Sequence, residues 1–255
     1  MVTTLVLARN TFRESVRDRL LPIVLTFGAL LVGASVLLAP LTLGEHSRVI
    51  RDLGLSSISL FTLVLIVMVG TGMVYREIER RTIHTILSQP VHRASFILGK
   101  FAGLYATILV SIALLGTMYL AVTGIFAGGF SGELALAVLL LALEALIMTS
   151  VAVFFSSVAS PVLSAVFTLF LCVCGNLARD LKLLAMQMEN PVVDVVMQVF
   201  YVVVPSLHNF HVRNNLLSGV PVDAGQIGYA AGYAALYSAA VLLVTIVAFE
   251  RRDFE

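Results

Sequence analysis

Charged residues are scarce in this sequence: Asp, Glu, Lys and Arg make up 12 % of its 255 residues, against roughly 25 % in a soluble domain. With 59 % hydrophobic residues and a mean hydropathy of +1.01, the chain has too little polar surface for a soluble protein. It reads as an integral membrane protein. The net charge of +1 gives no basic surface for nucleic acid. The two cysteines, Cys172 and Cys174, fall inside one apolar run. Within a continuous helix they cannot bridge without distorting it, so they say little about redox compartment. Tryptophan is absent, which leaves any interfacial aromatic belt to Tyr and Phe.

Catalytic and nucleotide motifs are missing too. Gly28-Ala-Leu-Leu-Val-Gly33-Ala-Ser35 has the glycine spacing of a phosphate loop, but Ala34 stands where the loop needs a lysine to grip the phosphates. There is no HExxH and no GxSxG. The five histidines, His46, His84, His92, His208 and His211, lie in loops or at the ends of apolar runs, which leaves no membrane-embedded pair for haem. His208 and His211 stand with Asn209, Arg213, Asn214 and Asn215 after Pro205, and a hydrogen-bonded loop is the better reading than a metal site, since no carboxylate or thiol completes a ligand set. Cys172 and Cys174, two apart, point to different faces of a helix and read as buried apolar residues rather than soft-metal ligands.

What the sequence does have is apolar runs of membrane-crossing length. Six are expected, at 20–39, 56–75, 96–124, 134–155, 162–178 and 227–249; the first two are close to the ~20 residues that cross a bilayer core, and the fifth is shorter but adequate if little tilted. Gly99 and Gly103 in the third, and Gly228, Gly232, Ala235 and Ala239 in the sixth, make small-residue faces on which another helix can approach closely. Before them, residues 1–19 read as an amphipathic helix in the membrane interface. Leu5, Phe12, Val16 and Leu20 lie on one side, and Arg9, Arg13 and Arg17 on another can snorkel to phosphates. A cleaved signal peptide fits less well, because the following run is long enough to span and no small-residue cleavage site ends it. Val192–Val204 is apolar but only about 20 Å long as a helix; Asn190, Asp194 and Gln198 recur every four residues, so it is expected to rest on the surface rather than span.

Six spans put Arg9, Arg13, Arg17, Arg19, Arg76, Arg80, Arg81, Arg93, Lys100, Arg251 and Arg252 on one side. Arg48, Arg51, Arg179, Lys182 and Arg213 fall on the other, eleven against five of the sixteen basic residues. The positive-inside rule then makes both termini and the Tyr75–Leu104 segment cytoplasmic, and the region around Asp194 external. A seventh span would strand Arg251 and Arg252 outside.

Two features stand out against this apolar background. In the Tyr75–Leu104 segment, Arg76, Glu77, Glu79, Arg80 and Arg81 crowd one and a half turns of expected helix. Glu77 sits four before Arg81, the favourable order for an ion pair. Ile83, Ile86 and Leu87 then form an apolar stripe, and Pro90 ends the helix. Glu144 is the second feature, a carboxylate midway along the fourth run. Such a group is costly there and faces the bundle interior or a cavity. It reads either as a contact on a substrate or proton path, or as a carboxyl kept neutral by burial and hydrogen-bonded to a neighbouring helix.

The segment Glu77-x-Glu79-Arg80-Arg81-Thr82-Ile83-x-Thr85-Ile86-Leu87-Ser88-Gln89-Pro90-Val91-x-Arg93, followed by Leu98-Gly99-Lys100, resembles the first cytoplasmic loop of type-two ABC exporter permeases. More narrowly it resembles permeases that accompany multicopper-enzyme maturation (nitrous-oxide-reductase type). Leu7-Ala8-Arg9-Asn10-x-Phe12, Arg17-Asp18-Arg19 and Arg251-Arg252-Asp253-Phe254 are similar to the family's ends. The resemblance implies a single all-α permease domain over 1–255 in a bacterial cytoplasmic membrane. It also implies that 76–90 is a coupling helix between spans 2 and 3, with Glu77, Glu79, Arg80, Arg81, Thr82, Ile83, Ile86 and Leu87 docked on a separate ABC ATPase. That ATPase would bind the ATP and Mg, and this chain would carry no cofactor and no enzyme activity. It further implies pairing with a second permease copy or paralogue, a second ATPase contact at the Ser156–Ser160 turn, and an extracellular helical hairpin within 179–225 between spans 5 and 6. The substrate does not carry over.

Rival readings differ in what they require. A mechanotransmitting ABC subunit would signal through an outer domain, and 179–225 is short for one. A secondary transporter needs ionisable groups in several spans, and Glu144 alone qualifies. A membrane enzyme lacks its catalytic constellation.

Overall fold

A computed structural model describes residues 2–18, 20–41, 46–72, 93–129, 131–186, 200, 204–210 and 224–250. Among them there are seven helices and no strand. We number them α1 (Val2–Arg17), α2 (Leu20–Leu38), α3 (His46–Leu65, continued by a π-helical turn at Ile66–Gly70), α4 (Arg93–Phe126), α5 (Gly132–Val158), α6 (Pro161–Met186) and α7 (Ala224–Glu250). Helices α2 to α7 are long and apolar enough to cross a membrane. In such an environment every backbone polar group must be satisfied within its own segment, and a helix achieves that. The segment 76–90 lies outside the described residues, as do Asn190, Asp194 and Gln198 with most of 187–223.

The centre of the bundle is α5, whose apolar window is 67 % buried, against 28 % for those of α2, α6 and α7. Small residues allow this: Ala137, Ala142, Ala145, Ser150, Ala152 and Ser156 are all buried, so neighbouring helices approach α5 from several sides. The outer helices keep large apolar side chains exposed, among them Leu30, Leu37, Phe170 and Leu236. An exposed apolar face of that kind suits a lipid solvent.

Helix α3 begins ten residues before the apolar run that starts at Ser56. The added turns are polar in composition yet held by tertiary contacts. Arg51 donates to the Ala127 carbonyl at 2.9 Å, capping the C-terminal end of α4, where the helix dipole favours a cation. Tyr119 of α4, 1 % exposed, donates back to the Arg51 carbonyl at 3.1 Å. Gly54 makes room for the ring, because a Cβ there would lie 2.6 Å from it. Past this clasp, Gly128 and Gly129 turn the chain away at φ 89° and 111°, a conformation that glycine adopts without steric cost.

At 34 residues, α4 is about 51 Å long, well beyond a hydrocarbon core of ~30 Å. Its first turns carry α1. Gly99 and Gly103 form the seat: a Cβ on Gly99 would lie 2.6 Å from Leu7 Cβ, and one on Gly103 would meet the Ala8 carbonyl and lie 2.6 Å from Thr11 Cβ. The face of α1 turned to α4 therefore carries Leu7 beside small and polar residues, with Thr11 and Ser15 buried, while Leu5 and Val16 remain exposed. Lys100 Nζ, also buried in this seam, lies 3.7 Å from Glu14. Gly103→Leu is expected to unseat α1 at a cost of about 1–3 kcal/mol or more, as over-packing does. Thermal unfolding in nanodiscs and proteolysis within residues 2–17 check it. An unchanged midpoint with α1 still protected would mean that the seat is looser than described.

The start of α4 and the end of α7 are tied to each other as well. Arg93, the first residue of α4, donates to the carbonyls of Phe249 at 3.2 Å and Glu250 at 3.0 Å, and Phe96 stacks on Phe249 with ring centroids 5.9 Å apart. The segment 73–92 is thus followed at once by a fixed point on the last turn of α7. Between α5 and α6 only Ala159 and Ser160 intervene. Ala159 is extended and its N–H bonds to Phe155 O, and Pro161 starts α6 at the position where a missing N–H costs nothing.

Candidate functional site

A cavity of about 280 Å³ opens between α3, α5 and α6. From α5 come Ala137, Leu141, Glu144, Ala145 and Met148, spaced by three and four and so on one helical face. From α3 come Leu55, Ser56, Ser59, Leu60, Thr62, Leu63 and Ile66, and from α6 Cys172 and Asn176. Phe210 also lines it. Leu60 is half-exposed, so the cavity reaches the flank of the bundle there.

Phe210 belongs to a 3-10 turn, Leu207–Phe210, fastened between α6 and α7. Gly175 admits it, since a Cβ there would lie 2.5 Å from the Pro205 carbonyl and 2.9 Å from Leu207 Cγ. The Ser206 N–H donates to the Tyr233 hydroxyl at 2.9 Å, and Phe210 packs against the Tyr233 ring. Tyr229, Tyr233 and Tyr237 follow one another along α7 as a ladder of ring contacts. The wall that carries Phe210 is thus held by hydrogen bonding and aromatic packing.

Polar groups line the cavity on three helices. Ser56 Oγ donates to the Asp52 carbonyl at 2.6 Å, which leaves the hydroxyl oxygen an acceptor. Asn176 Nδ2 donates to the Cys172 carbonyl at 3.0 Å and approaches its Sγ at 3.6 Å. Glu144 is half-buried and, among the described residues, is the one acidic member of the lining, with no Lys, Arg or His beside it. It lies about 18 Å from the start of α5, near mid-helix. Among the described residues no group of three His, Cys, Asp or Glu can hold a metal.

The two expected sites fare differently. Glu144 stands at the cavity. Glu77, Glu79, Arg80, Arg81, Thr82, Ile83, Ile86 and Leu87 lie outside the described residues. Of the cysteines, Cys172 faces the cavity and Cys174 is on another side of α6. Sequence reasoning passed over Ser56, Ser59, Thr62 and Asn176. Their three- and four-residue recurrence in apolar runs was the available signal, but hydroxyls in spans commonly satisfy themselves on the preceding turn, as Thr107, Ser111 and Thr168 do here.

Below the cavity, α3 passes through the π-helical turn Ile66–Gly70. Its Val67 carbonyl accepts from both the Thr71 N–H and the Thr71 hydroxyl at 2.6 Å. A Cβ on Gly70 would sit 3.2 Å from Ala152 Cβ, so this turn lies directly on α5. Turns of this kind interrupt the regular ladder and recur at functional positions.

Residues 5–254 match the family model described as ABC-2 family transporter protein. No curated protein matches the chain.

Proposed function

Because the chain belongs to the ABC-2 transporter family and is the membrane permease subunit of an ABC system, with an ABC ATPase as partner, we propose that it forms the path of an ATP-driven exporter. In this reading it works as one of two permeases and takes its motion through the 76–90 coupling helix. ATP and Mg stay on the partner, and both termini face the cytoplasm of a bacterial cell. The likeness to permeases of multicopper-enzyme maturation rests on the short motifs alone and assigns no cargo.

The observation that carries the reading is how the cavity walls continue. Helix α3 leads from Ser56, Ser59 and Ile66 through the π turn into 73–92, the segment with the coupling motif. Helices α5 and α6, which supply Glu144 and Asn176, join through Ala159 and Ser160, the other expected ATPase contact. A push on either cytoplasmic segment therefore reaches the cavity along a single helix, which suits a hinge or rigid-body switch between two packings. The stripe Gly228, Gly232, Ala235 and Ala239 on α7 is exposed, and a Cβ at Gly228 or Gly232 would touch nothing within 4 Å. That surface supports close pairing with a second permease.

The topology is tested by placing single cysteines in a chain with Cys172 and Cys174 replaced. Position 253 is expected to react only from the cytoplasmic side, and position 194 only from outside. External labelling at 253 would contradict the six-span orientation. The transport reading itself is tested in proteoliposomes holding the permease and its ATPase, where ATP should change the accessibility of a cysteine placed at Ser59. Accessibility that is the same with and without ATP would count against a moving path there.

A further inference from the structure

We propose that Ser59 and Thr62 make the cavity a binding site for a small membrane-dissolved molecule, an apolar body with one hydroxyl or carbonyl oxygen. Hydroxyls in a helix can bond to a carbonyl of the preceding turn. On α3, Ser56, Ser57 and Thr71 do so, at 2.6 Å each, to the carbonyls of Asp52, Leu53 and Val67. Ser59 and Thr62 lie between them and do not, and no described residue partners either hydroxyl. Both line the cavity, three residues apart and so on one face of α3. Thr62 is only 5 % exposed. A buried hydroxyl without a partner is costly. An oxygen on a bound molecule relieves that cost: it accepts from one hydroxyl and, where it carries a hydrogen, donates to the other.

The rest of the lining sets the class of molecule. Leu55, Leu63, Leu141 and Met148 give an apolar wall. The volume of about 280 Å³ is roughly nine times the ~30 Å³ share of one water and lies near the lower end of small-molecule pockets. Asn176, whose Nδ2 donates to the Cys172 carbonyl, adds an acceptor in its Oδ1. The half-exposed Leu60 puts the opening on the flank of the bundle. An oxygen dissolved among acyl chains has nothing to bond to, so it gains partners by entering there. Glu144 has an interaction of its own and is assigned no part in the site.

This deepens the path reading, on which the role of the site as a cargo contact rests, but its test needs neither transport nor ATPase. Purified chain in phosphatidylcholine nanodiscs is photolabelled with a diazirine-bearing octanol, and the labelled residues are mapped by mass spectrometry. Saturable labelling of the cavity lining on α3, α5 and α6 is expected. Octanol should compete with it, and octane at the same mole fraction in the membrane should not. Ser59→Ala combined with Thr62→Val removes both hydroxyls with little change in volume and should weaken binding about five- to a hundredfold, the scale of two neutral hydrogen bonds. Ser57→Ala removes a hydroxyl that is bonded to its own helix and lies outside the lining, and should leave binding unchanged. Ser59→Leu, which fills the cavity, should abolish labelling, so the proposal stays testable if the double variant folds poorly. Nanodiscs with added monooleoylglycerol separate two sources of the oxygen: competition identifies a lipid, and its absence a free molecule. Equal competition by octane, undiminished binding in the double variant, an equal loss with Ser57→Ala, or no saturable labelling of the unaltered chain overturns the proposal. Binding without ATP-driven transport would leave it standing and count against the path reading instead.

Discussion

Replacing Ile86 or Leu87 by aspartate is expected to strip the ATPase from the purified permease while leaving the permease inserted and folded. The helix expected at 77–89 carries two kinds of group, and their magnitudes differ. An exposed pair such as Glu77–Arg81 contributes about 0.3–0.5 kcal/mol on a helix, so Glu77→Ala should be mild. Ile83, Ile86 and Leu87 can each bury about 1.5–3 kcal/mol of apolar surface in a groove. An aspartate in that stripe both removes the burial and places a charge against it. Pull-down of the ATPase with each variant measures the effect. If both aspartate variants keep the full complex, the stripe lies on lipid headgroups instead, and the segment loses its assigned role. Arg93 bears on the same experiment: the start of α4 is tied to the carbonyls of Phe249 and Glu250, so under the proposed coupling a push on the segment is expected to reach α4 and α7.

The second large effect is expected at Tyr119. Its ring is buried against Gly54 and its hydroxyl reaches the Arg51 carbonyl, so it joins the first turns of α3 to the last turns of α4. Tyr119→Ala should cost about 3–5 kcal/mol, the range for deleting a buried aromatic ring. Tyr119→Phe removes one neutral hydrogen bond and should cost about 0.5–1.5 kcal/mol. Thermal unfolding of the two variants in nanodiscs gives the comparison. Equal losses would mean that the hydroxyl, not the ring, holds the clasp, and no loss in either would remove the clasp from the account.

These positions show what the sequence makes legible. The six long helices follow from hydropathy, because a bilayer demands apolar length and internally satisfied backbone. The seat made by Gly99 and Gly103 was visible as a small-residue face, although its occupant was not. The periodicity of 1–19 describes an apolar stripe and leaves open which side meets protein. In the structure the side with Leu7, Ala8 and Thr11 does, set against Gly99 and Gly103. The start of α3 was illegible for a different reason. Arg51 and Asp52 look like loop residues until the Ala127 carbonyl, 76 positions away, is seen to accept from Arg51. Glu144 was legible as a costly group. The cavity before it was not, since Ser59 and Asn176 reach it from separate helices and nothing in their own segments marks the meeting.

The most direct test of the central claim, a permease with no nucleotide site of its own driven from outside, is ATP hydrolysis measured on three preparations in the same nanodiscs. These are the chain alone, its ATPase alone, and the two together. The account predicts no hydrolysis by the chain, and a rate for the ATPase that changes when the chain is present. Turnover by the chain alone, free of contaminating ATPase, or an ATPase rate identical with and without it, would contradict the account.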